Sequence, residues 1–120
     1  MIEEITFIHI LEMKIIKNNI IPLKGFAAIN LFGVLFVRKN VKITAKLLRH
    51  EAIHTEQIKE MLYIFFYIWY GIEWIINFIK YRDAITAYYN IRFEREAYQN
   101  EDKIDYLSKR MPFTWMIKNK

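Results

Sequence analysis

The sequence predicts an α+β fold that is mainly helical, formed by a single domain over residues 1–120. Apolar residues at helical spacing dominate the second half of the chain, and one β-branched and aromatic segment precedes them. The composition is 54% hydrophobic and 17% aromatic, which supplies a core and excludes the disordered class. A chain of this length has room for one core and for little else.

The N-terminal part of the chain carries the predicted strands. Residues 5–16 mix isoleucine and phenylalanine with polar residues, a pattern that fits either a strand or a helix. Residues 26–37 are β-branched and aromatic, with Asn30 and Gly33 near the middle, which predicts a short β-hairpin. We expect its second strand, residues 34–37, to form an edge of the sheet, and a plain core hairpin is an equally good interpretation.

The next predicted element is a helix over residues 45–59, capped by Thr44, which carries the motif His-Glu-Ala-Ile-His. On a helix, His50 and His54 project from one face, so a single metal ion can take a nitrogen from each. Glu51 lies beside this face, where it is suited to act as a base rather than as a ligand. The structural alternative is a surface helix with two solvated histidines.

A metal site of this kind needs a third protein ligand. The chain has no cysteine, and His9 lies in the N-terminal segment, so a carboxylate further along the chain is favoured. A helix predicted over residues 84–100, capped by Asp83, contains Glu94 and Glu96. Glu94 is the favoured ligand and Glu96 its rival, because the sequence does not show which one faces the histidines. For both, the alternative is a solvated charged face.

The order of these residues resembles the gluzincin branch of the zincin metallopeptidases, in which an HExxH helix is followed by a helix whose glutamate completes a zinc site. His50, Glu51 and His54 match the first motif, and Glu94 with Ala97 matches the ExxA pattern of the second helix. The resemblance implies a minimal zincin-like domain that binds zinc through His50, His54 and Glu94. It implies that Glu51 takes a proton from the metal-bound water.

Two further positions bear on this resemblance, which covers about residues 34–101. Many members of these families carry an acidic residue or asparagine directly after the alanine, whereas this chain has Tyr98, whose hydroxyl could replace it. Gln57 follows His54 by three residues, as in the HExxHxxQ pattern of some small zincins, which places its amide on the same helical face.

The function expected from these residues is zinc-dependent hydrolysis of peptide bonds in a peptide or protein substrate, with Glu51 as the base. Tyr88, Tyr89 and Tyr98 are candidate donors to the oxyanion, and each is equally suited to a packing role. One alternative is a catalytically inactive zinc-binding module with an interaction or regulatory role. Another is a small membrane-associated protein.

Residues 61–79 form a nearly continuous apolar and aromatic run with the length of a membrane-spanning helix. Gly71, Glu73 and Asn77 lie within this run and argue against a simple span. A helix that is apolar on all sides belongs in a protein core or in lipid, so we expect a buried central helix or a helix on a membrane surface. A true membrane span remains the alternative.

The net charge of +5 is compatible with binding to an anionic membrane surface. Its lysines and arginines are scattered without an interleaved aromatic recognition motif, so we do not expect a nucleic-acid partner. The sequence opens with Glu3 and Glu4 instead of a basic segment, and no signal peptide is predicted. We therefore expect a cytoplasmic or membrane-associated protein.

Overall fold

A computed structural model describes residues 13–22 and 25–117 of the chain. Within those residues, three strands are followed by five α-helices and one 3-10 turn. The strands are β1 (Lys14–Asn18), β2 (Ala28–Leu31) and β3 (Val34–Arg38). The helices are α1 (Ala45–Glu60), α2 (Ile64–Tyr81), α3 (Ala84–Tyr89), α4 (Arg92–Asn100) and α5 (Tyr106–Lys109), and the 3-10 turn is Thr114–Met116. This architecture confirms the predicted α+β, mainly helical class.

The sheet has the strand order β1-β3-β2. Strands β2 and β3 pair in antiparallel fashion, as the predicted hairpin requires, and Phe32 and Gly33 form its turn with φ angles of 55° and 90°. The prediction that residues 34–37 form an edge strand is wrong, because β1 pairs with β3 on its other side in parallel register. Within the ambiguous segment 5–16, residues 14–16 belong to β1, whereas residues up to 12, including His9, lie outside the described part.

Helix α1 holds the fold together. It begins where the sequence predicts, with the Thr44 hydroxyl accepting a hydrogen bond of 3.1 Å from the backbone N–H of Leu47. Two apolar clusters flank this helix. Ala52 packs in one of them with strand residues Leu35 and Val37, and Ile58 packs in the other with residues from the later helices. Side chains of α1 that lie between these clusters are therefore held by both.

Helix α2 differs from the buried central helix that was expected over residues 61–79. A turn at Met61 to Tyr63 bends the chain by 110° between α1 and α2. Phe66 is the one buried residue of α2, so of the two expectations, a buried central helix or a helix on a membrane surface, the structure does not match the first. Among the described residues no single helix is long and apolar enough to cross a membrane, although the bent pair α1 and α2 together meets that criterion of length and composition.

The helix predicted over residues 84–100 is divided into α3 and α4. Asp83 caps the first part as expected, with its carboxylate accepting a hydrogen bond of 2.8 Å from the Thr86 N–H. The chain becomes extended at Ile91, and α4 begins at Arg92. The carboxylate of Glu73 from α2 accepts a hydrogen bond of 3.0 Å from the Arg92 N–H. This contact satisfies a free backbone donor at the start of a new helix, which explains the break.

Candidate metal centre

Three potential ligand atoms from α1 and α4 form a nearly equilateral triangle. Nε2 of His50 and Nε2 of His54 are 3.2 Å apart, and Oε1 of Glu94 lies 3.1 Å from each of them. Donor atoms bound to one tetrahedral zinc at the usual distances lie about 3.3 Å from one another. The triangle therefore has the size that a zinc ion requires.

The outer nitrogens of both imidazoles are held by acceptors. His50 Nδ1 lies 2.8 Å from Oε1 of Glu101, and His54 Nδ1 lies 2.7 Å from Oε1 of Gln57. The Gln57 amide is oriented because its nitrogen donates to the Phe93 carbonyl and to a carboxylate. A carboxylate and an amide oxygen accept only, so each Nδ1 carries a proton and each Nε2 faces the triangle, where it can offer a lone pair to a metal ion when it carries no proton of its own.

Glu94 is fixed by a third such contact. The Tyr70 hydroxyl on α2 donates a hydrogen bond of 2.8 Å to Oε2 of Glu94, while Oε1 faces the histidines. Burial raises the pKa of the Glu94 carboxyl, but the charge on His54 and the hydrogen bonds from both histidines outweigh it, so this pKa is far below its ordinary value. Glu94 is thus held as a carboxylate, the form in which it binds a metal ion.

The same charges act on His54. Burial lowers the pKa of its imidazole, but the nearby Glu94 carboxylate raises it by charge and by hydrogen bonding, and the pKa of His54 is raised to about 9. Below that pH the centre of the triangle holds a proton that a metal ion must displace. Three acceptor atoms at this separation repel one another unless a cation lies among them, and either a proton or a metal ion meets that need.

Glu51 is buried beside the triangle, and one of its carboxylate oxygens lies within 4.8 Å of a ring nitrogen of each histidine. Glu94 Oε1 is nearer to the two imidazoles, which leaves Glu51 outside the innermost set. Desolvation by burial raises the pKa of the Glu51 carboxyl above its ordinary value. A carboxylate with a raised pKa next to the ligands is suited to take a proton from water near neutral pH.

The rival carboxylate, Glu96, points away from the histidines. Its oxygens accept hydrogen bonds from the Gln57 amide at 2.9 Å and from the Tyr106 hydroxyl at 2.6 Å, and Arg110 contacts both of them. Glu96 therefore orients Gln57, which in turn orients His54. Its contribution is to hold the imidazole in place.

Sequence reasoning missed two residues of the site, Glu101 and Tyr70. Glu101 follows Glu94 by seven residues, and that spacing of two helical turns could have placed both carboxylates on one face. Glu101 contacts the outer nitrogen of His50. In the family that the sequence resembles, this supporting contact was expected from the residue directly after Ala97. Nothing in the apolar run of α2 distinguished Tyr70 from the tyrosines around it.

The tyrosines proposed as oxyanion donors lie at the edge of the site. The hydroxyls of Tyr88 and Tyr98 are 2.8 Å apart, and the Tyr98 ring packs against His50 with centroids separated by 4.4 Å. Tyr89 contacts both of these tyrosine rings. The Tyr98 hydroxyl does not replace the carboxylate contact to His50, because Glu101 makes it.

The strand edge beside the HExxH helix belongs to β2. The Asn30 side chain on β2 donates hydrogen bonds to the Glu51 carbonyl at 3.0 Å and to the Thr55 hydroxyl at 2.8 Å. The Tyr67 hydroxyl donates to the Asn30 carbonyl at 2.9 Å and accepts from the Phe32 N–H at 2.7 Å. These two hydrogen bonds join the edge of the hairpin to Tyr67 of α2.

A hollow of about 320 Å³ lies elsewhere on the surface. Its lining contains none of the residues of the triangle, and consists of Glu56, Lys59, Glu60, Leu107, Arg110 and Pro112. The residues of the triangle are buried instead, each exposed by 6% or less.

The chain matches no known protein family, no characterised protein and no solved structure. The resemblance to gluzincins therefore remains a prediction from the spacing of the motif.

Proposed function

We propose that His50, His54 and Glu94 bind one zinc ion and that the protein is a zinc-dependent peptidase. The observation that supports this most is the triangle of ligand atoms, 3.1 to 3.2 Å on each side, in which every member is oriented by an outer hydrogen bond. Ligands with such supporting contacts are typical of metal sites in proteins. No thiolate is present, so the donor set is of the nitrogen and oxygen type that zinc accepts in hydrolases.

The residues divide into three roles in this proposal. Zinc bound by three protein ligands supplies a Lewis acid that makes water nucleophilic near neutral pH. Glu51 takes the proton from that water and passes it to the leaving amine, because it lies beside the ligands with a raised pKa. Glu101, Gln57 and Tyr70 hold the three ligands in orientation.

A second candidate function is zinc binding without catalysis, in an interaction or regulatory module. The burial of the ligands favours this binding role. The ligand side chains are almost fully buried, and the strand edge nearest to them is already bonded by Tyr67. A peptidase with this fold needs Tyr67 to leave that edge when substrate binds.

Elemental analysis of the purified protein tests the metal site. We expect about one zinc per chain in the wild type, and loss of zinc in the His54→Ala and Glu94→Ala variants, because each removes one of three ligands. Asp102→Ala serves as the control, since that carboxylate is exposed and its loss should leave the zinc content unchanged. Absence of zinc from the wild type after reconstitution, or full retention in Glu94→Ala, contradicts the proposed site.

Hydrolysis of a mixture of fluorogenic peptides separates the two candidate functions. For a peptidase, Glu51→Gln should keep its zinc and lose activity by about a hundredfold or more, because it removes the base and preserves the side-chain volume. Equal activity of this variant and the wild type rules out Glu51 as the base. A wild type that holds zinc and cleaves none of the peptides favours the binding module.

A further inference from the structure

The outer face of α2 is a continuous apolar stripe. Seven of its residues are each between 52% and 60% exposed, namely Ile64, Phe65, Ile68, Ile72, Ile75, Ile76 and Ile79. At 100° per residue they fall within about 120° of the helix circumference. No described part of the chain buries them, so this stripe is a large apolar surface open to a partner.

Three polar residues of α2 make their contacts on the opposite face. Glu73 pairs with Arg92 at 2.8 Å, Asn77 donates to the Ala87 carbonyl at 3.1 Å, and Tyr70 donates to Glu94. Phe66 packs against Phe93 on this inner side, with ring centroids 4.4 Å apart. The helix thus supports the metal centre with one face and presents only apolar side chains with the other.

The width of the stripe favours a bilayer over a second helix. Residues 65, 68, 72, 75 and 79 follow the spacing of a coiled-coil seam, and a pairing helix commonly has charged residues at the positions that flank such a seam. Here the flanking positions hold Ile64 and Ile76, which are as exposed as the seam itself. A helix with an uncharged face of this width is typical of a helix lying in a membrane interface.

The charges around the stripe fit an anionic surface. Lys80 and Arg82 lie exposed at the C-terminal end of α2, next to Asp83, which is engaged as a helix cap. The only acidic residue within α2 is Glu73, which is turned inward and paired. The whole chain carries a net charge of +5.

We infer that the outer face of α2 docks on the surface of an anionic phospholipid bilayer, with the helix parallel to the membrane. The metal centre lies on the other side of the same helix and is therefore about one helix diameter, roughly 10 Å, above the lipid. Peptide segments close to the membrane surface are then within reach of the site.

Flotation of the full-length protein with lipid vesicles tests this inference. One set contains phosphatidylcholine alone, and the other contains phosphatidylcholine with about a quarter of phosphatidylserine. We expect the wild type to bind the anionic vesicles, and high salt to weaken binding. The double variant Ile72→Gln with Ile75→Gln should bind at least about tenfold more weakly than the wild type. It places two polar side chains in the stripe without changing the charge.

The matched control is Ile20→Gln with Ile117→Gln, which changes two exposed isoleucines away from α2 and should bind as the wild type does. Circular dichroism of all three proteins checks that the fold is retained, which is expected because the substituted side chains are exposed. Equal binding of the α2 variant and the wild type overturns the inference, and so does absence of binding to both vesicle types. Equal binding to neutral and anionic vesicles overturns the choice of an anionic surface.

Light scattering without lipid tests the alternative that the stripe binds a second copy of this chain. A wild type that is a dimer, becomes a monomer in the α2 variant and does not float with vesicles assigns the stripe to a second copy of this chain.

Discussion

Replacing Arg110 with methionine should destabilise the protein strongly. The Arg110 side chain is 5% exposed and lies between two carboxylates, with Nη2 at 2.6 Å from Oε1 of Glu60 and at 3.1 Å from Oε1 of Glu96. Glu96 is itself almost fully buried. Methionine preserves most of the volume and removes the positive charge, so two carboxylates are left without their cation in a poorly hydrated place.

The expected cost follows from this burial. Removing one partner of a buried ion pair typically costs about 3 to 5 kcal/mol of the free energy of unfolding. For a chain of 120 residues the entropy of unfolding is about 0.25 kcal/mol per kelvin, so the melting temperature should fall by about 12 to 20 °C. Thermal unfolding followed by circular dichroism measures this change.

Lys109→Met is the matched control, because Lys109 forms an exposed ion pair with Asp105 and its loss should leave the melting temperature almost unchanged. Adding Glu96→Gln to Arg110→Met should restore part of the stability, since one uncompensated charge disappears. If Arg110→Met melts at the same temperature as Lys109→Met, the assignment of a buried charge network is wrong.

Three further outcomes are expected. Zinc affinity should rise about tenfold per pH unit from pH 6.5 to 8.5, because zinc displaces the proton that Glu94 holds on His54 up to about pH 9. Competition with a chelating dye measures this affinity, and an affinity that levels off at pH 7 contradicts the prediction. Thr44→Ala should cost about 1 kcal/mol in denaturant unfolding by removing the cap on the Leu47 N–H, whereas Thr44→Ser should retain most of it. Phe93→Ala should cost about 3 to 5 kcal/mol in the same assay, since Phe93 is fully buried, and a loss below 1 kcal/mol argues against its place in the core.

Elements defined by neighbouring residues were predictable from the sequence. Helix α1 begins at its predicted boundary because Thr44 caps it locally. It ends within one residue of the prediction because its apolar spacing is regular. The hairpin was also predictable, since Gly33 permits the positive φ that a two-residue turn requires. Both signals lie within a few residues of the structure that they specify.

Features that depend on distant residues could not be predicted in the same way. The break before α4 is stabilised by Glu73, which lies 19 residues earlier in the chain. The contact between His50 and Glu101 joins residues separated by 51 positions. The apolar run of α2 indicated burial because composition reports how apolar a helix is and does not report whether enough of the chain remains to cover it.

The position of α1 between the two apolar clusters has a consequence for how the protein unfolds. Ala52 and Ile58 anchor the helix in different clusters, and His54 lies between them on the same seven-residue stretch. Opening either cluster frees one end of that stretch and disturbs the geometry of the proposed metal site. A ligand that binds only the intact triangle would therefore stabilise both clusters at once, and metal release would report the opening of either of them.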